Sequence, residues 1–461
     1  MRVAIVGSGP SAFYVAKYIK QLRKQVFIDL IESQPVPFGL VRYGIAPDHE
    51  EVKNVMNEFI GFMHQHRDSV RFFGNVKVGD AVQFNKLKTS YSAIVLATGA
   101  QSEKKLNIRG ETLDGVLSSY EFVNFYNGHP DFQHVADKVD LRAVEDVTII
   151  GQGNVSLDIA RILSKSPTSL GSTDISRRFL SILSTSAIRH INVVGRRGPA
   201  QAALTIKELR ELTTLPGATV RIDPRDLELD PISHHTVSVS RSKKRIYELM
   251  KKIATSSSAS SSSTNIDFRF NRSPFEFVPQ VNSNKVAVVR FEVNSLVSEG
   301  ASSTVAPRGT GILESVRSQL VITSVGYRTN PISLDLPFDA VKHTYQHVRG
   351  RVQPPSITGP GVYVTGWCKR GPTGIIGTNI TDARETAETL TSDYSHTNEA
   401  IDALCSRPDP VDVIPALKAV SVVTWDAYLR IHAEEARQGA AQGAPRLKML
   451  TRDEMLRAAG E

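Results

Sequence analysis

The chain has 461 residues, of which 41% are hydrophobic and 22% charged, with a formal net charge of +8. That length supports two or three domains, each with its own core. No apolar run approaches the ~20 residues that span a bilayer. The two cysteines, Cys368 and Cys405, exclude a disulfide framework, and without a Cys-x-x-Cys there is no dithiol relay. The positive charge fits an acidic protein partner, a nucleic acid or a membrane surface, and does not choose among them. The chain opens directly in a predicted strand, so any signal or transit peptide lies outside this sequence.

Arg2-Val-Ala-Ile-Val reads as a buried strand and runs into Gly7-Ser-Gly9-Pro-Ser-Ala12, after which a helical pattern begins. This is the strand–turn–helix opening of a dinucleotide fold. Gly7 permits the tight turn, Gly9 lets backbone approach a pyrophosphate, and Ala12 lets the helix sit close on the strand. The next strand, Val26 to Ile31, ends at Glu32, whose carboxylate can accept ribose hydroxyls. From Pro35 to His49 three prolines and two glycines prevent a long helix or strand, predicting a shaped loop beside the nucleotide. Val52 to His66 predicts an amphipathic helix and Val70 to Val78 a strand. Tyr91 to Ala97 predicts a buried parallel strand that ends in Thr98-Gly99 at the ligand-binding edge of a sheet.

A second unit of the same kind starts at Val147. Its strand leads into Gly151-Gln152-Gly153-Asn154-Val155-Ser156 and a helix. Here the second strand, Ile191 to Val194, ends in Gly195-Arg196-Arg197-Gly198 instead of an acid. A carboxylate would repel an adenosine 2′-phosphate; two arginines would bind it with charge-assisted hydrogen bonds. The first unit therefore suits a nucleotide with a free ribose and the second suits NADP. The Ser/Thr-rich stretch at about 165–188 is an insertion or an extra helix.

Thr205 to Leu212 predicts a helix with a mixed-charge face, and Arg241 to Lys252 a basic helix. The Ser-rich run 255–264 predicts a surface loop. Strands resume at Val286 to Val293 and Leu320 to Arg328. Val362 to Thr365 then leads into Gly366-Trp367-Cys368-Lys369-Arg370-Gly371-Pro372-Thr373-Gly374-Ile375-Ile376 and a helix from Ile380 to about Leu390. The positive end of that helix suits the edge of a reduced flavin, and Trp367 suits packing on its ring. The tail mixes Pro-rich linkers with a helix near Trp425 to Arg437.

These motifs together resemble the adrenodoxin reductase family, the mitochondrial NADPH:ferredoxin reductases and their bacterial relatives. The resemblance runs over almost the whole chain. It is most specific at 37–49, 151–163, 194–199 with 205–211, and 366–379. It implies an α/β fold of two Rossmann-like dinucleotide-binding domains, with an NADP domain (103–330) inserted into a discontinuous FAD domain (1–102 and 331–461). It implies FAD contacts at Ser11, Glu32, Leu40, Val76, Trp367 and Gly374 to Ile376. It also implies NADP contacts at Gln152, Gly153, Asn154, Val155, Arg196, Arg197, Glu208 and Gly374. His49 and Glu208 become the active-site polar groups, and no metal is required. The basic cluster Arg241, Lys243, Lys244 and Arg245 becomes a docking patch for an acidic [2Fe–2S] ferredoxin, with no role for nucleic acid. The implied reaction moves a hydride from NADPH to flavin, then single electrons to the ferredoxin, for cytochrome P450, iron–sulfur or haem pathways. The implied enzyme is a monomer, with peripheral membrane association left open, in mitochondria or, alternatively, a bacterial cytoplasm. Ser11 and Ser156 depart from the small apolar residues common in the family, and the Ser-rich loop is unusual.

Two other readings use the same motifs. One is a glutamate-synthase-like electron-input subunit, which needs more cysteines for its clusters. The other is a non-catalytic NADP(H)-responsive interaction protein, against which the intact flavin and Arg-Arg motifs argue.

Overall fold

Short, largely apolar strands are covered on both faces, and the two main sheets are built mostly of such runs in parallel. The computed structural model describes residues 1–256, 263–298, 305–354, 359–395 and 403–460. The chain divides into two compact units, Met1–Ser102 with Gly326–Glu461, and Glu103–Val325.

In the first unit, the strands Gly361–Val364, Ala93–Leu96, Arg2–Val6, Phe27–Ile31 and Val70–Phe73 lie side by side in that order, all parallel. Arg351–Val352 and His347–Val348 extend the sheet antiparallel at one edge. The order reverses at Arg2–Val6, whose neighbours are Phe27–Ile31, the next strand in the chain, and Ala93–Leu96. The open crevice of a doubly wound sheet lies at such a switch point. The Pro10–Leu22 helix buries Ala12, Phe13, Val15, Ala16 and Ile19 against this sheet and packs along the Thr378–Asp393 helix. The Trp425–Ala440 helix caps the same core through Tyr428 and Ile431.

In the second unit, Val116–Ser118, Leu320–Thr323, Asp146–Ile150, His190–Val194, Thr264–Arg269 and Ala218–Ile222 form a parallel sheet in that order. Its switch point lies between Asp146–Ile150 and Leu320–Thr323. A separate antiparallel sheet contains Arg272–Pro279, Val286–Ser298 and Val305–Arg317.

Several boundaries differ from the sequence reading. The helix expected over Val52 to His66 is bonded as Glu50–Lys53 and Val55–Gln65. Asn54 between them keeps helical angles, so the bonding is interrupted but the direction is not. The strand expected to reach Val78 stops at Phe73, because Gly74 pairs with Val423 from the tail and Asn75 turns at φ +60°. The 165–188 stretch folds as two short helices, Pro167–Gly171 and Arg177–Leu183, which bury Leu170, Phe179 and Leu183. Of the Ser-rich run, residues 257–262 lie outside the described residues.

The tail of the first unit is anchored by an ion pair. Arg42 Nη2 donates to Glu435 Oε1 at 2.5 Å, with side chains 1% and 0% exposed. Burial disfavours the Arg42 charge, but Glu435 beside it outweighs that and holds the guanidinium protonated. Met449 N also donates to Glu435 Oε1, and Lys448 Nζ to the Arg42 carbonyl. Removing one member strands a buried charge. Glu435→Ala is expected to lose about 3–5 kcal/mol, whereas Arg42→Met with Glu435→Leu keeps most of the stability. Denaturant unfolding of the two variants checks this.

Candidate dinucleotide sites

Both turns are shaped by one steric device. Gly7 takes φ +105°, and a Cβ there would lie 2.5 Å from the Ala97 carbonyl oxygen. Gly151 takes φ +126°, and a Cβ there would lie 2.1 Å from the Ser324 carbonyl oxygen. Each first glycine thus presses on the chain just beyond the neighbouring strand's C-terminal end. The second glycines are the opposite: a Cβ on Gly9 or Gly153 meets nothing within 4 Å. A phosphate can approach bare backbone at those two points.

The helices behind the turns reinforce this. Pro10–Leu22 and Asn154–Ser164 begin at Gly9 and Gly153, with no side-chain cap and no acid in the first turn. By contrast, Ser118, Thr205, Ser240, Thr424 and Thr451 cap the helices that follow them with their own side chains. An uncapped helix start leaves N–H donors and the positive dipole end for an anion.

In the first unit, Glu32 is pinned at the end of its strand. Its Oε2 accepts from Ser8 N and Ser8 Oγ, and its Oε1 from Ser33 Oγ and Gln34 N. The hydroxyls of Ser8 and Ser33 can rotate away, so the carboxylate is oriented yet still able to accept from a ribose. Val76, buried, is set beside it by a bond from its N–H to the Glu32 carbonyl. The 35–49 loop folds back over the turn: Phe38 N donates to Ser8 O, and Leu40 opens the short Leu40–Tyr43 helix. Phe38 holds φ +85°, rare for a bulky residue. Its ring is fully buried against Phe13, Phe59 and Tyr428, which fixes the strained backbone. His49 is half-buried and precedes the Glu50–Lys53 turn of helix.

The far end of the same unit returns to this turn. Gly366, at φ +76°, sits so close to Ser11 that a Cβ would lie 2.1 Å from its Oγ. Ser11 Oγ donates to Asn379 Oδ1 at 2.9 Å, and Arg370 Nη2 donates to the same oxygen at 2.8 Å. Asp382 accepts from Gly366 N and Thr365 Oγ1 and pairs with the buried Lys369. The chain is thereby locked on both sides of Trp367. Trp367 stacks on Tyr327, with ring centroids 5.8 Å apart. Gly374 and Ile375 are exposed and Ile376 half-buried, just before the uncapped Thr378–Asp393 helix. Cys368 is fully buried, and burial pushes its thiol up to about 11, so it is no nucleophile at neutral pH.

In the second unit, Ala203 N donates to Gln152 O, and Thr205 N to Asn154 Oδ1. The segment after the arginine loop therefore lies along the Gly151–Asn154 turn. Gln152 is buried and bonds Val193 O and Arg269 O through its side-chain amide. Val155 is half-buried in the first turn of its helix. Arg196 and Arg197 are exposed, while their carbonyls are held by Asn294 Nδ2 and Asn271 N. Beside Gly198, the buried Gln201 Oε1 and Asn271 Oδ1 accept no hydrogen bond among the described residues. Glu208 accepts from the buried Arg161 at 3.1 Å, and Arg161 also pairs with Asp158 at 2.7 Å.

Of the basic cluster, Arg241, Lys244 and Arg245 are exposed on the Arg241–Thr255 helix. Lys243 is not. It is half-buried, and its Nζ donates to Ala202 O at 2.6 Å. Sequence reasoning missed this, and it also missed Tyr327, Asp382, Asn271 and Asn294. The Lys243 signal was present: it shares the helical period of the buried Ile246, Met250 and Ile253.

The residues fit two dinucleotides. The acid-ended turn is suited to the free ribose of FAD, and the Arg-Arg turn to the 2′-phosphate of NADP. The chain belongs to the pyridine nucleotide-disulphide oxidoreductases, whose family model matches residues 1–377. It is 39% identical to the mitochondrial NADPH:adrenodoxin oxidoreductase of Homo sapiens, over 100% of this chain and 92% of that protein. It is also 39% identical to the NADPH-ferredoxin reductase FprA of Mycobacterium tuberculosis, over 99% of this chain and 98% of that protein. The structure of Mycobacterium tuberculosis FprA in complex with NADPH matches with a TM-score of 0.91 at 39% identity, over 100% of this chain and 99% of that one. Within that broad family the chain is a member of the NADPH:adrenodoxin oxidoreductases.

The turn geometry separates stability from binding. Gly151→Ala is expected to destabilise the protein by about 1–3 kcal/mol, through backbone strain and the clash with Ser324. Gly153→Ala is expected to leave Tm nearly unchanged and to weaken NADP⁺ binding, because its new methyl occupies the phosphate approach. Thermal unfolding and NADP⁺ titration of both variants read the two effects.

Proposed function

We propose that the protein is an FAD-dependent oxidoreductase that takes electrons from NADPH and passes them singly to a [2Fe–2S] ferredoxin. One observation carries this: a single chain holds an acid-ended dinucleotide turn at Glu32 and an arginine-ended one at Arg196–Arg197. The bound flavin supplies the chemistry, accepting a hydride and releasing its electrons one at a time. The protein supplies binding and alignment. Gly7, Gly9, Ser11 and Ala12 make the pyrophosphate turn, and Glu32 takes the ribose. Leu40, Val76, Trp367 and Gly374 to Ile376 line the remainder. Gln152 to Val155, Arg196 and Arg197 hold NADP(H), with Gly374 as a further contact. Glu208, oriented by Arg161, positions the nicotinamide carboxamide. His49 serves as a hydrogen-bonding and proton-equilibrating group.

The partner is an acidic ferredoxin, docking on Arg241, Lys244 and Arg245. These exposed side chains form no ion pair among the described residues, so their charge remains free to steer association. The mitochondrial location carried in the name of the human relative supports the same location for this chain.

Two expected outcomes test this reading. The Arg196→Ala, Arg197→Ala double variant should lose roughly tenfold or more in its preference for NADPH over NADH per arginine removed, judged from kcat/KM. An unchanged preference contradicts the 2′-phosphate assignment. Converting Arg241, Lys244 and Arg245 to glutamate should cut ferredoxin-dependent cytochrome c reduction and flatten its salt dependence, while ferricyanide reduction persists. Equal loss of both activities removes the docking assignment.

A further inference from the structure

Lys243 stands apart from the other bases of its helix. The Arg241–Thr255 helix buries Ile246, Met250 and Ile253, and Lys243 lies one turn before Ile246 on that same face. Arg241, Lys244 and Arg245 point away from it and are exposed. The Lys243 ammonium ends at the Ala202 carbonyl, 2.6 Å away, immediately after the 3₁₀ turn Pro199–Gln201 that follows Arg196-Arg197-Gly198. Ala203, the next residue, is bonded to Gln152 of the dinucleotide turn. Lys243 therefore meets the segment that joins the arginine loop to the residue paired with the phosphate turn.

Its electrostatics are unfavourable as they stand. Burial and the Arg197 charge both depress the Lys243 pKa. Among the described residues, none of Arg196, Arg197 and Lys243 forms an ion pair with a carboxylate. A single carbonyl offsets little of the cost of half-burying an ammonium beside a like charge. An anion bound among the three would reverse the sign of that interaction.

We infer that Lys243 is a third cation of the adenosine 2′-phosphate subsite, binding the phosphate together with Arg196 and Arg197 and so helping to set the preference for NADP(H) over NAD(H). This rests on the NADP reading of the Arg-Arg turn. It also removes Lys243 from the ferredoxin-docking surface and gives the helix two separate duties. Its outward face offers charge to a protein partner, and its first inward side chain serves the nucleotide.

The test is direct binding, by calorimetry on the FAD-loaded protein, of adenosine 2′,5′-bisphosphate and of 5′-AMP. Lys243→Met and Lys243→Gln are expected to weaken the bisphosphate by about tenfold and leave 5′-AMP unchanged, with Lys243→Arg retaining most of the discrimination. The Arg196→Ala, Arg197→Ala variant is the reference. If it loses discrimination while both neutral Lys243 variants keep it, the inference is overturned and the NADP reading stands. If Lys243→Met and Lys243→Gln weaken both probes equally, Lys243 only braces the Ala202 loop, and the inference again fails. If the unmodified protein does not distinguish the two probes, the NADP reading itself falls.

Discussion

The contact on which both nucleotide turns depend is the close approach of a glycine to a neighbouring carbonyl. Gly7 meets Ala97, and Gly151 meets Ser324, at separations that no side chain tolerates. This packing sets Arg2–Val6 against Ala93–Leu96, and Asp146–Ile150 against Leu320–Thr323, across the two switch points. It also aims the following helix start at the crevice. The glycine turn of each unit is built around those two points. Two residues further on, Gly9 and Gly153 give bare backbone and uncapped helix starts.

Given two turns of the same geometry, charge decides what each can hold. At the end of the second strand the first unit carries Glu32, fixed by four hydrogen bonds. The second carries Arg196 and Arg197, whose carbonyls are tied down while their side chains stay exposed. A carboxylate accepts from hydroxyls and repels phosphate, whereas arginines bind phosphate with charge-assisted hydrogen bonds. The chemistry of hydride and electron transfer belongs to the cofactors. The selectivity belongs to a few side chains at strand ends. Cys368 shows the limit of reading chemistry from residue type: beside Trp367 it is buried, its thiol pushed to about 11, and its neighbourhood serves to hold backbone.

Local patterns were legible in the sequence because their causes are local. Glycine spacing, apolar runs and the strand-end residues Glu32, Arg196 and Arg197 each act over a few positions. The contacts that complete the first site join distant segments. Ser11 meets Gly366 and Asn379, and Trp367 stacks on Tyr327. No period announces such partners. Strand ends were also misjudged where a tertiary contact outcompeted propensity, as when Val423 captures Gly74 and ends the strand at Phe73. Lys243 was a different kind of miss. The resemblance placed the whole basic run in a docking patch, although the helical period already set this one lysine with Ile246 and Met250.

The most direct test of the account is anaerobic stopped-flow absorbance of the purified protein, mixed with NADPH, then NADH, then NADPH with a [2Fe–2S] ferredoxin and cytochrome c. The account predicts a flavin band that NADPH bleaches much faster than NADH, followed by cytochrome c reduction that requires the ferredoxin. A protein that shows no flavin band, even after incubation with FAD, or whose flavin is bleached equally by both nucleotides, contradicts it.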